Sequence, residues 1–163
     1  MFYDVDEILK RYAAGEREFP GADICDSELE GVDLSGINLS GAELADSDLT
    51  RINLSGANLH NANISQSTVR NSNLSRANLS EAFLSESAFD EANLREANLS
   101  KANLRGAYFG SADLTGYVQS LINLSTHGFR IEILTEENGF YYSTQFHQSQ
   151  ISRMFEGILT KTF

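Results

Sequence analysis

Every fifth residue between Ile24 and Leu114 is large and apolar, a period that matches no common secondary-structure element. The column reads Ile24, Leu29, Leu34, Leu39, Leu44, Leu49, Leu54, Leu59, Ile64, Val69, Leu74, Leu79, Leu84, Phe89, Leu94, Leu99, Leu104, Phe109 and Leu114. An α-helix turns about 100° per residue, so every fifth side chain drifts around the axis and leaves no apolar stripe. In a continuous strand an odd period sends successive leucines to opposite faces of the sheet. A short extended stretch followed by a corner, repeated, does fit. The residue two before each large one shares its face, and it is Ala or Ser everywhere except Val32, Ile37 and Ile52. The residue between them points outward and is mostly Asn, Asp or Glu.

A second period fixes the shape of the circuit. Ala recurs at Ala22, Ala42, Ala62, Ala82 and Ala102, Ser at Ser27, Ser47, Ser67 and Ser87, and Asn at Asn38, Asn58, Asn78 and Asn98. Four blocks therefore make one circuit, and equivalent residues stack. The expected fold class is an all-β repeat solenoid, a quadrilateral β-helix of about five four-sided coils. With a rise of ~4.8 Å per coil it forms a rod roughly 24 Å long. Its lumen is narrow, which accounts for the small residues, and its interior serines are expected to bond to backbone carbonyls. Phe89 and Phe109, one circuit apart, predict a wider, restacked core on one face.

These blocks resemble the pentapeptide-repeat family, whose consensus is A(D/N)LXX. Ala57-Asn58-Leu59, Ala77-Asn78-Leu79, Ala92-Asn93-Leu94, Ala97-Asn98-Leu99 and Ala102-Asn103-Leu104 match it best. The resemblance covers about two thirds of the chain and implies a right-handed coil; spacing alone leaves the hand open. Phe83 and Tyr108 depart from it at outward positions. The stretch ILKRYAAGEREFPGADI, from Ile8 to Ile24, resembles the leader of cyanobacterial members and implies such a source.

The two open ends of such a rod need covers. Residues 1–18 are expected to be an N-terminal helical cap. Asp4 and Glu7 form a capping-box-like start, Val5, Ile8, Leu9, Tyr12 and Ala13 follow helical spacing, and Gly15 supplies the stop. The repeat region is 19–125, broken at Tyr117-Val118-Gln119 and restored once at Ile122-Asn123-Leu124-Ser125. Residues 126–163 are expected to add a hairpin plus helix. Phe129–Leu134 and Phe140–Phe146 flank a connection containing Asn138-Gly139, and Ile151, Met154, Phe155, Ile158 and Leu159 have helical spacing. This aromatic-rich segment is either a cap on the last coil or a dimer or partner interface, so the chain is expected as a monomer or a homodimer through it.

Catalytic chemistry has no visible seat. His60, His127, His147 and Cys25 have no metal-ligand spacing, and no phosphate-binding loop or nucleophile motif occurs. A filled coil offers no concavity for a substrate. No enzyme activity, cofactor or metal is expected. Twelve Lys and Arg against 23 Asp and Glu give a net charge of −11, which argues against direct nucleic-acid binding. The sequence has no membrane-length apolar run, and one lone cysteine fits a reducing cytoplasm.

The acid is uneven. Between Phe19 and Thr50 lie Asp23, Asp26, Glu28, Glu30, Asp33, Glu43, Asp46 and Asp48 with no basic residue, whereas residues 51–116 are neutral. Stacking by twenties puts Asp23 under Glu43, Asp26 under Asp46 and Glu28 under Asp48. This patch keeps the rod soluble and discourages end-to-end stacking, or docks a basic protein partner, with weak divalent-cation binding a remote third. The leading expectation is a non-catalytic protein-binding scaffold with a regulatory role; some relatives resemble regulators of heterocyst differentiation. The alternative comes from family members linked to fluoroquinolone resistance: an acidic DNA mimic that binds a type II topoisomerase such as DNA gyrase.

Overall fold

The computed structural model describes residues 4–114, 132–137 and 140–145. Helix α1 (Val5–Ala13) precedes the repeats. Its start is fixed by Asp4, whose Oδ1 accepts the Glu7 N–H at 2.8 Å. Its end is fixed by Gly15, at φ +97°, whose N–H donates to the Tyr12 carbonyl at 2.9 Å.

From Glu18 to Asp113 the chain pairs with itself in parallel, the outward residue of each five-residue block meeting the one twenty positions on. The outward residues define four faces, numbered in chain order. Face I carries Glu18, Asn38, Asn58, Asn78 and Asn98. Face II carries Asp23, Glu43, Asn63, Phe83 and Asn103. Face III carries Glu28, Asp48, Thr68, Ala88 and Tyr108, and face IV carries Asp33, Asn53, Asn73, Asn93 and Asp113. Each strand is too short to hold itself, so its backbone bonds go to the circuits on either side. Asn58 N–H donates to the Ile37 carbonyl at 2.9 Å, and Leu59 N–H donates to the Asn78 carbonyl at 2.8 Å.

Corners turn the chain through the residue two after each leucine. That residue has φ between +52° at Asp26 and +71° at Gly106, as in the third position of a type II turn. Gly56 sits there at +67° with nothing within 4 Å of where a Cβ would project, so backbone conformation rather than space favours glycine. The turn closes by an N–H to carbonyl bond such as Ala62 to Leu59 at 3.1 Å.

The interior is the apolar column. Ile24 through Phe109 are buried at every fifth position, while Leu114, in the last described block, is partly buried. Phe19 starts the column one block before Ile24; it is fully buried, and Glu18 beside it pairs with Asn38. That block escapes the sequence pattern because Arg17 stands where Ala or Ser belongs. The buried serines bond as their setting requires. Ser47, Ser67, Ser72 and Ser87 donate through Oγ to the carbonyls of Ile24, Leu44, Leu49 and Ile64, at 3.1, 2.9, 2.7 and 2.6 Å. Phe89 and Phe109 stack with ring centroids 5.0 Å apart and 8° between planes.

Helix α1 lies across the first circuit. Ile8 is buried, and Val5, Ile8 and Leu9 face Ile24, Leu29 and Leu34 at the open end of the column. Tyr12 Oη donates to the Ser35 carbonyl at 2.8 Å, pinning the helix to the coil. Arg11 anchors the connection, with Nε donating to Glu16 Oε2 at 2.7 Å. Strands β1 (Glu132–Glu137) and β2 (Phe140–Gln145) pair antiparallel from Glu132 opposite Gln145 to Glu137 opposite Phe140. The pairing includes Thr135, Glu136 and Glu137, which the sequence pattern assigns to the connection. The pattern break at Tyr117-Val118-Gln119, the restored block at 122–125 and the helix expected over Ile151–Leu159 lie outside the described residues.

Candidate protein-binding surface

The four faces are not alike, and outward hydrogen bonding separates them. On face I a side-chain ladder runs the length of the coil. Asn38 Nδ2 donates to Glu18 Oε2 at 2.6 Å, Asn58 to Asn38 Oδ1 at 3.0 Å, and Asn78 to Asn58 and Asn98 to Asn78 at 3.2 Å each. Each Oδ1 also accepts a backbone N–H two residues on, as Asn78 does from Ser80 at 3.3 Å. Face IV repeats the device through Asp33, Asn53 and Asn73, with steps of 2.9 and 3.2 Å.

Faces II and III lack this continuity. On face II Asn63 donates to Glu43 Oε2 at 2.7 Å, but Phe83 then stands in the ladder position. On face III Thr68, Ala88 and Tyr108 follow Asp48, and none has an amide to pass on. Phe83 and Tyr108 are the exposed large apolar side chains of the described residues, each 47% exposed. Sequence periodicity marks both as departures but does not show that neither is covered.

Of the eight carboxylates in the acidic stretch, six gather around the corner between faces II and III: Asp23 and Glu43, Asp26 and Asp46, Glu28 and Asp48. Glu30 and Asp33 stand apart. Arg51 donates through Nη2 to Glu30 across the corner between faces III and IV. Asp33 is absorbed into the face IV ladder, accepting from Asn53 Nδ2 at 2.9 Å and from the Ser35 N–H at 3.0 Å. The other ion pairs between circuits also avoid the II/III corner among the described residues. They are Arg70–Asp90 at 3.1 Å, Arg76–Glu96 at 2.9 Å, Lys101–Glu81 at 2.9 Å and Arg95–Asp113 at 3.5 Å. Sequence alone counts residues 51–116 as neutral; stacking adds that Arg70, Arg76 and Lys101 each pair with an acid one circuit away.

Titration follows these contacts. Asp48 is held below the usual carboxylate range, first by the Thr50 hydroxyl and then by the Thr50 N–H, which Oδ1 accepts at 2.9 Å. The Lys101 ammonium lowers Glu81, and Glu81 in turn raises Lys101. Cys25, at the II/III corner, has its thiol pushed up by burial, helped by the carboxylates of Asp23 and Glu43. That shift disfavours the nucleophilic thiolate. His60 is exposed, with Nδ1 3.0 Å from both the carbonyl and the Oγ of Ser80. Among the described residues no three His, Cys, Asp or Glu converge on a metal-holding site, and no helix is long and apolar enough to cross a membrane.

Two family profiles tile the coil: "pentapeptide repeats (8 copies)" over residues 18–56 and "pentapeptide repeat region" over residues 45–118. No curated protein sequence matches the chain. Among solved structures it is similar to HetL, a pentapeptide repeat protein involved in heterocyst differentiation regulation from the cyanobacterium Nostoc sp. strain PCC 7120. Identity is 31% over 72% of this chain and 56% of that one, with a TM-score of 0.59. It is also similar to a pentapeptide repeat protein of the Arabidopsis thaliana thylakoid lumen, 30% identical over 56% of this chain and 64% of that one, with a TM-score of 0.55. The chain thus spans between half and two thirds of the length of these two relatives. The five-residue code, the four-sided stacking it produces and these matches agree: the chain belongs to the pentapeptide repeat family.

Proposed function

We propose that the chain is a non-catalytic protein-binding scaffold whose acidic II/III corner docks a basic partner. The observation that carries this reading is the clustering of six carboxylates at the corner that has no ion pair among the described residues. Like charges directly opposite across a parallel ladder destabilise it. Each of the other three corners carries at least one acid paired with Arg or Lys, so stability alone gives no reason to leave this one without a pair. A stacked, hydrogen-bonded rod is stiff, which suits presentation of fixed charge to a partner. Kinship with HetL supports a regulatory role, and the family's known coil supports right-handed winding here. The reading places the protein in the cytoplasm, with residues 126–163 as end cap or dimer contact.

The test is charge reversal. Glu43→Lys, Asp46→Lys and Asp48→Lys are combined, and native lysate is passed over immobilised wild type and variant. Loss of the basic proteins that wild type retains is the expected result; an unchanged set would reduce the corner to a solubility device. The excess of acid lies in the first two circuits and the rest of the coil is neutral, which supports a protein partner over mimicry of a DNA duplex. A supercoiling assay checks this: micromolar protein should leave DNA gyrase unaffected.

A further inference from the structure

The exposed aromatics extend the surface beyond charge. We infer that Phe83 and Tyr108, with the low lane of Thr68 and Ala88 between acid and aromatics, form the apolar half of a two-part docking surface. Its occupant is an extended protein segment whose run of Lys or Arg is followed by a large apolar side chain. This rests on the scaffold reading above and adds what else the partner must carry.

Three observations support the apolar half independently of the acid. Phe83 replaces an amide that would bond to Asn63 below, to Asn103 above and to the Ser85 N–H, so its presence loses stabilising contacts and leaves a half-exposed ring. A residue that breaks a local rule without benefit to the fold points to a functional demand. Tyr108, on the neighbouring face in the next circuit, is a second half-exposed ring at an outward position. Between them, at the II/III corner, Gly106 has no side chain and the Glu86 chain lies beside it, where an added Cβ would sit 3.2 Å from Glu86 Cγ. The two rings thus flank a corner whose exposed side chains are one acid, Glu86, and one base, Arg105.

Charge selects the occupant. Glu43 and Phe83 are two circuits apart, a rise of about 10 Å, which three residues of extended chain span. A segment lying along the II/III corner therefore meets carboxylates first and aromatic rings about three residues later. Arg105 stands at the same corner in the last described circuit. With Glu86 one circuit below, it leaves that end without net charge, so the excess of acid lies at the first two circuits and sets the direction of the segment.

Two synthetic fluorescent peptides test this by polarisation against the full chain. One has four lysines, a two-residue Ser spacer and Phe; the other has Ser in place of Phe. A peptide of four glutamates with the same spacer and Phe is the control. Wild type should bind the Lys–Phe peptide about fivefold tighter than the Lys–Ser peptide, as expected for covering a half-exposed ring. Phe83→Asn with Tyr108→Asn should abolish that preference and leave Lys–Ser binding unchanged, while Phe83→Leu should keep most of it. The charge-reversed triple variant should lose both lysine peptides. If the double Asn variant keeps the fivefold preference, the apolar half is wrong and the acidic reading stands. If wild type prefers neither lysine peptide over the glutamate control, both readings fall. If the double Asn variant instead turns a dimer into a monomer by light scattering, the rings serve self-association and this inference is overturned.

Discussion

Faces I and IV and faces II and III enclose the same apolar column but finish their outer surfaces in opposite ways. The first pair is closed: amide ladders and backbone N–H bonds to Asn and Asp oxygens use most of the outward polar groups, and the adjoining corners pair acid with base. The second pair is open, with six carboxylates at one end, two uncovered rings at the other and a shared corner without an ion pair among the described residues. Stability is built evenly around the inside, whereas specificity is concentrated on one side of the outside. A repeat fold permits this division because inward and outward positions alternate within each block, so the outer surface can change without disturbing the core.

Core deletions should not distinguish the two sides. Leu74→Ala beneath face IV and Leu84→Ala beneath face II should each cost about 2–5 kcal/mol, measured by urea unfolding. Values that differ by more than that spread would show that the open faces are also less well packed inside. Surface changes should distinguish them. Asn78→Ala cuts a ladder with Asn58 below and Asn98 above, and also frees the Ser80 N–H, for a loss of about 1–2 kcal/mol. Ala88→Ser, on the open face III, should lie within about 0.5 kcal/mol of wild type.

Salt should sharpen the contrast. Stacked carboxylates at the II/III corner repel each other, and added ions screen them. Raising NaCl from 20 mM to 500 mM should raise the melting temperature of wild type, and Glu43→Gln with Asp46→Gln and Asp48→Gln should flatten that response. A fall with salt would mean that the ion pairs at the other corners dominate. The smallest effect is with pH. Asp48 and Glu81 have lowered pKa values when folded, so each adds stability above the ordinary carboxylate range and loses it as pH falls through the lowered value. Asp48→Asn keeps an acceptor for the Thr50 N–H and should shrink the drop in melting temperature between pH 6 and pH 3.

The inside of this molecule is legible in its sequence to an unusual degree, for a physical reason. A narrow four-sided lumen accepts only one pattern of large and small residues, so Leu59 and Ala57 announce their orientation wherever they recur. Phe19 is the exception, because the flanking Arg17 and Pro20 belong to the approach from α1 and hide the block. The outside is less legible. Asn58 and Asn78 read as solvated positions, and only stacking reveals that each amide completes its neighbour. The pairing of Arg76 with Glu96 follows from the twenty-residue circuit, yet the restriction of such pairs to three corners emerges only when the corners are assembled. Glu30 belongs to the acidic stretch by its place in the chain, but its pairing with Arg51 sets it apart from the II/III corner.

The contrast between closed and open faces is tested most directly by urea unfolding of Phe83→Asn. An asparagine there would join Asn63 and Asn103 into one ladder and accept the Ser85 N–H. The account predicts a midpoint above that of wild type, by the equivalent of about 1 kcal/mol. A midpoint at or below wild type would mean that Phe83 serves the fold, and the division between a structural side and a binding side would not hold.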